Sequence, residues 1–170
     1  MSNILVMSDT HGVTSAVKSL LDTFKSQVDA VVHLGDCMRD IHRYALSEAD
    51  GRLFYMVNGN VDYEENAVEE QVIDIAGKRI FITHGHHYDV KTKLDHIIYR
   101  AMELQVNACL FGHTHEPVKF KHEGIFFLNP GSLKYPRLGT DRSYGLLGIS
   151  ENGAINGALM PYKENTWPAE

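Results

Sequence analysis

Five short apolar runs in this chain each break off into a cluster of Asp, Asn or His with a Gly beside it. Asn3–Met7 leads into Ser8-Asp9-Thr10-His11-Gly12, Ala30–Leu34 into Gly35-Asp36, and Leu53–Val57 into Asn58-Gly59-Asn60. Arg79–Thr83 leads into His84-Gly85-His86-His87, and Ala108–Phe111 into Gly112-His113-Thr114-His115. Short apolar runs closed by turn formers read as buried strands. Ligands of open α/β sheets bind at the carboxyl ends of the strands, so polar clusters far apart in sequence are expected to meet on one rim.

The segments between the runs fix the fold class. Val13–Lys25 places Val13, Ala16, Val17, Leu20, Leu21 and Phe24 on one helical face, and Asp40–Ala49 is a weaker helical stretch. The opening third is therefore β-α-β-α-β, which implies parallel strands with right-handed crossovers. Glu70–Ile75 and Arg79–Thr83, joined by Ala76-Gly77-Lys78, read as a hairpin, and Val90–Leu104 has a helical pattern. Only β-like runs follow the fifth cluster: Val118–Lys121, Ile125–Leu128, Tyr144–Ile149 and Ala154–Leu159. We expect one α/β domain over residues 1–162 and a C-terminal tail over 163–170.

Composition removes several function classes. The net charge is −6 and no block of Lys or Arg is present, so stable nucleic-acid binding is not expected. The apolar runs fall far short of the ~20 residues that span a bilayer, and the N-terminus lacks the pattern of a secretory signal. The expectation is a cytoplasmic protein with no membrane association. Cys37 and Cys109 share no CxxC spacing and read as free thiols.

The chemistry-bearing candidates are Asp9, His11, Asp36, Asn60, His84, His113 and His115. Carboxylate, imidazole and amide donors without a thiolate suit manganese, iron, nickel, cobalt or zinc better than calcium. Seven donors exceed one four-coordinate ion, but they make two sets of four if Asp36 bridges. Two divalent cations bring +4 against −2 from Asp9 and Asp36, so a bridging hydroxide leaves an anion trap inside an acidic protein. Such a pair can lower the pKa of a shared water and hold both ends of an in-line displacement, which suits a phosphate ester.

These motifs, in this order, resemble those of the calcineurin-like metallophosphoesterases, and their spacing is similar to the small phosphodiesterase branch of that superfamily. Asn129-Pro130-Gly131-Ser132 with Pro136-Arg137 resembles the late motif of the branch. The resemblance implies a four-layer α/β/β/α sandwich. It also implies one metal on Asp9, His11, Asp36 and His115 and another on Asp36, Asn60, His84 and His113, with manganese the first expectation. The implied activity is that of a phosphoric diester hydrolase acting on a small phosphate ester through a metal-bridging hydroxide. A phosphomonoesterase with the same centre, or a non-catalytic protein-interaction scaffold of this fold, are the alternatives.

One position departs from the superfamily's pattern. Many of its phosphatases carry a His directly after the metal-binding Asn, where this chain has Val61. General acid help is worth ~10²–10⁴-fold, so the expected bias is toward good leaving groups. Asn60 and His86 are the catalytic candidates, His86 and Arg137 the substrate-binding ones. Asp62 reads as a turn residue or a partner of a ligand, Asn129 and Ser132 as shapers of a turn near the site. His33 reads as a hydrogen-bonded core histidine, His42, His87, His96 and His122 as surface residues, and Cys37 as a buried thiol. The late β segments offer an edge for homo-oligomer formation.

Overall fold

The structure is a computed structural model that describes residues 1–47, 51–63 and 68–164. Two five-stranded mixed sheets carry the fold. The first comprises β1 (Ser2–Met7), β2 (Ala30–His33), β3 (Leu53–Met56), β9 (Ser143–Ile149) and β10 (Ile155–Pro161), in the order β10-β9-β1-β2-β3. The second comprises β4 (Glu70–Ile75), β5 (Lys78–Thr83), β6 (Ala108–Leu110), β7 (Pro117–His122) and β8 (Ile125–Pro130), in the order β4-β5-β6-β8-β7. As the β-α-β opening predicts, β1, β2 and β3 pair in parallel. The Glu70–Ile75 hairpin forms with Asp74 opposite Arg79, and β5, β6 and β8 run parallel to one another.

The period-two alternation of the strands decides the layering. Ile4, Val6, Ala30 and Val32 of the first sheet face Ile80, Ile82, Ala108 and Leu110 of the second across one shared core. Their neighbours Leu5, Met7 and Val31 turn the other way, against Val17, Leu20 and Leu21 of α1 (Thr14–Thr23) and Ile41 of α2 (Arg39–Ser47). Phe81, Cys109 and Phe127 turn outward from the second sheet, against Ile97 and Ala101 of α3 (Asp95–Glu103). The central strands of both sheets are thus buried on both faces, and the result is the four-layer α/β/β/α sandwich.

Three expectations change. The Val90–Leu104 pattern is not one helix: a 3-10 turn at His86–Tyr88 and further turns precede α3, which starts at Asp95. Val90 is apolar because it plugs the loop beneath Gly85 and is buried, not because it lies on a helix face. The clusters also do not sit on one sheet's rim; they come from the carboxyl ends of β1, β2 and β3 in one sheet and of β5 and β6 in the other. Cys37 is only half-buried, and both cysteines are free. Ala49, at the end of the second helical stretch, and residues 165–170 of the expected tail lie outside the described residues.

Candidate metal centre

All five loops meet where the two sheets end side by side. Asp9, His11, Asp36 and His115 each offer a donor atom within 4.8 Å of the others, and so do Asp36, His84 and His113. Asp36 belongs to both groups. Asn60 Oδ1 lies 3.2 Å from His84 Nε2, which brings the seventh candidate to the second group.

The backbone is bent sharply to achieve this. Asp9, His11, Asp36, His113 and His115 all have positive φ, between 42° and 68°. A non-glycine residue held in such a region costs about 1–3 kcal/mol. Strain of that size on five of seven converging side chains marks a place where position matters more than stability. Glycines let the loops pack without clash: a Cβ on Gly59 would lie 2.2 Å from Asp36 Oδ1, and one on Gly112 would lie 2.0 Å from Ser8 Oγ.

Each side chain is aimed by its neighbours. Asp9 Oδ2 accepts from the Ser8 hydroxyl at 2.5 Å and from the His113 N–H at 3.1 Å, which leaves Oδ1 turned toward His115. The Asp9 carbonyl accepts from Ser132 Oγ, whose oxygen in turn accepts from the Lys134 and Tyr135 N–H groups. Asn129 donates to the Gly112 carbonyl and to Thr114 Oγ1, bracing the loop that bears His113 and His115. Asn129 and Ser132 therefore shape the turns beside the site.

The Leu34 carbonyl can only accept, so the 2.7 Å contact places a proton on His84 Nδ1 and leaves a lone pair on Nε2. That Nε2 faces Asn60 Oδ1, His113 Nδ1 at 3.1 Å and Asp36 Oδ1 at 3.4 Å. The Tyr135 carbonyl fixes His115 in the same tautomer, with Nε2 only 2.9 Å from Asp9 Oδ1. Asp9 Oδ1 and His11 Nε2 are buried without a hydrogen-bond partner among the described residues. Lone pairs directed at lone pairs, around orphaned buried atoms, form a donor set that a cation satisfies and that protein groups alone do not.

The titrations respond to the same crowding. Burial raises Asp36, and the neighbouring Asp9 charge adds to the rise. Burial would also raise Asp9, but His115, His84 and Ser8 together hold it below the ordinary carboxylate value. Burial lowers His113 to about 4, with His84 contributing. For His115, the nearby Asp9 outweighs burial and the ring is raised.

The remaining candidates lie around this core. The His86 ring sits beside His84 and His113, with centroids 5.4 and 6.1 Å away, and burial with His87 and His84 lowers its pKa to about 4. Arg137 is exposed, and its N–H donates to the His115 carbonyl at 3.3 Å. Asp62 accepts from the Cys37, Met38 and Gly59 N–H groups, so it joins the loop after β2 to the loop after β3. His33 is a core histidine whose Nδ1 accepts from the Gly35 N–H and whose Nε2 meets Thr10 Oγ1. His42, His87, His96 and His122 are exposed, as expected.

Asp40 is the residue that sequence reasoning missed. Its Oδ2 accepts from Thr10 Oγ1 at 2.7 Å and from the Gly12 N–H at 2.8 Å, so it clamps the loop that carries Asp9 and His11. The only sequence signal was an Asp in the first turn of a helix, which reads equally well as a partner for the helix dipole.

Residues 2–152 match the family described as the calcineurin-like phosphoesterase superfamily domain. The chain belongs to that family. It is 31% identical to the phosphodiesterase YfcE of Escherichia coli K12 over 169 residues, which covers 86% of this chain and 88% of YfcE. Among solved structures it is similar to a predicted phosphoesterase from Streptococcus pneumoniae, with a TM-score of 0.76, 27% identity and coverage of 94% of this chain and 98% of the other. It is also similar to Entamoeba histolytica Vps29 complexed with zinc, with a TM-score of 0.68, 25% identity and coverage of 93% and 98%. The family brings with it divalent metal ions and phosphoesterase activity.

Proposed function

We propose that this member of the family is a phosphodiesterase that works through two divalent cations, one held by Asp9, His11, Asp36 and His115 and the other by Asp36, Asn60, His84 and His113. The observation that carries the reading is Asp36, which belongs to both donor groups at once. Manganese is the first expectation for the metal, with nickel, iron, zinc or cobalt admitted by the same donors. Bound cations would supply charge for the phosphoryl oxygens and a lowered pKa for a shared hydroxide, the attacker of an in-line displacement.

The protein's own part is positioning. Leu34 and Tyr135 carbonyls set the tautomers of His84 and His115, and such partners make imidazoles better ligands. Ser8 and the His113 N–H hold Asp9 in one rotamer. The Val61 N–H donates to Asp36 Oδ1 at 3.2 Å, so the residue in the place of the superfamily's histidine still orients the shared carboxylate. His86 contributes a neutral ring at the edge of the centre, able to donate a hydrogen bond to substrate but a weak proton source. Arg137, whose backbone N–H donates to the His115 carbonyl, would bring positive charge for a phosphate oxygen. Two free cysteines suit a reducing, cytoplasmic setting.

The test is turnover of aryl phosphodiesters and the matching monoesters by the metal-stripped chain after addition of Mn²⁺, with Asp36→Asn as the control. Metal-dependent hydrolysis that favours the diester and is lost in Asp36→Asn supports the reading. Preference for the monoester supports a phosphomonoesterase with the same centre. No metal-dependent turnover of any ester supports the scaffold alternative.

A further inference from the structure

A third group of ligand-type side chains lies outside the seven. Glu69 and the two histidines after His84-Gly85 each offer a donor atom within 4.8 Å of the others. The hairpin register makes the meeting inevitable. Glu70 pairs with Thr83 across β4 and β5, so Glu69 lies beside the chain as it leaves β5. Gly85, with φ of +100°, then reverses the chain into the 3-10 turn His86–Tyr88. The turn is tied to Glu69, just before β4, and to the first residue of β4: His87 Nε2 lies 2.8 Å from Glu69 Oε2, and the Tyr88 hydroxyl donates to Glu70 Oε2.

Pairing with His87 accounts for Glu69. It does not account for His86, whose ring lies against that of His87 with centroids 3.9 Å apart while its Nδ1 is buried and has no hydrogen-bond partner among the described residues. Two imidazoles pressed together beside one carboxylate repel if both are charged. If both are neutral, they present the histidine-and-carboxylate donor set of catalytic zinc sites.

We propose that Glu69, His86 and His87 form a third divalent-cation site, of the type that zinc occupies, on the lip of the main centre. Its position gives it a consequence. His86 stands between this site and the rings of His84 and His113, so a cation here withdraws His86 from the substrate and excess zinc inhibits turnover. That consequence rests on the role of His86 proposed above; the site itself does not.

The test is equilibrium dialysis of the chelator-stripped full chain against Zn²⁺ alone, with metal analysis, for the wild type, His87→Ala and Glu69→Gln. Both substituted side chains are exposed, and circular dichroism checks that the variants keep the fold. Three equivalents in the wild type and two in each variant support the site. Equal stoichiometry in all three chains overturns it. One equivalent in the wild type and none in the variants would keep this site while removing the two-cation reading of the main centre. In parallel, excess Zn²⁺ should depress phosphodiester turnover in the wild type and spare His87→Ala; equal inhibition of both overturns the consequence drawn for His86.

Discussion

Asp62 Oδ1 accepts the Cys37 N–H at 2.8 Å across 25 residues of sequence, and its other oxygen takes the Gly59 N–H at 2.9 Å. One carboxylate thereby sets the spacing between the loop that carries Asp36 and the loop that carries Asn60. Asp62→Ala leaves three N–H groups without their acceptor. We expect a loss of about 1–3 kcal/mol in stability and of about 10–100-fold in metal affinity. Chemical denaturation and competitive metal titration measure the two effects. Unchanged affinity would show that the loops hold their spacing without Asp62.

Gly59→Ala places a methyl group against the shared carboxylate, since the added Cβ falls 2.2 Å from Asp36 Oδ1 and 2.3 Å from the Asp36 N–H nitrogen. Backbone cannot retreat as a flexible side chain would, so the loops must separate. The expected outcome is a chain that binds fewer cations and loses phosphoester turnover. Gly148→Ala, at a glycine that like Gly59 is not left-handed, meets only Asn3 Oδ1 at 3.6 Å and serves as the control. Equal metal binding by the two variants would contradict the close packing at Asp36.

Val61 and His86 together predict a steep leaving-group dependence. His86 is neutral near pH 7 because burial and its histidine neighbours lower its pKa to about 4, and Val61 supplies no proton. Diester hydrolysis should therefore fall sharply as the leaving-group pKa rises. Val61→His, at a side chain that is 39% exposed and has room to grow, should flatten the series and raise rates on poor leaving groups by about 10²-fold. A flat series in the wild type, with chemistry rate-limiting, would contradict this.

His33 predicts an acid response. Burial is the main reason its pKa falls from 6.5 to about 4, so the folded chain binds fewer protons here than the unfolded chain. Its contribution to stability is complete above pH 6.5 and is lost progressively as the pH drops toward 4, by on the order of 3 kcal/mol. Imidazole ¹⁵N NMR should show a neutral ring protonated at Nε2, which donates to Thr10 Oγ1 while Thr10 donates to Asp40. Titration of this ring near 6.5 would contradict the relay.

Much of this was legible in the amino-acid sequence because strands and metal ligands leave strong local marks. Alternation in Ile4-Leu5-Val6-Met7 and Ile80-Phe81-Ile82 serves two cores at once, and it survives in the structure residue by residue. The seven side chains were visible because each ends a strand-like run beside a glycine. What was hidden depends on partners far away in the chain. Asp40 looks like any acidic residue in a first helical turn until Thr10, 30 residues earlier, is found to donate to it. Val90 fits a helical pattern, but it is apolar to fill the space under Gly85. Nothing local distinguishes one cluster-bearing sheet from two; the separation of β1-β2-β3 from β5-β6 comes from the pairing of β9 with β1 and of β8 with β6.

All of the chemistry proposed above depends on two cations sharing Asp36. Anomalous diffraction from crystals of the Mn²⁺-loaded protein, recorded on both sides of the manganese edge, tests it most directly. Two peaks are expected to flank the Asp36 carboxylate, one beside Asp9, His11 and His115 and one beside Asn60, His84 and His113. Full loading with a single peak that Asp36 does not contact, or with none among these seven side chains, would contradict it.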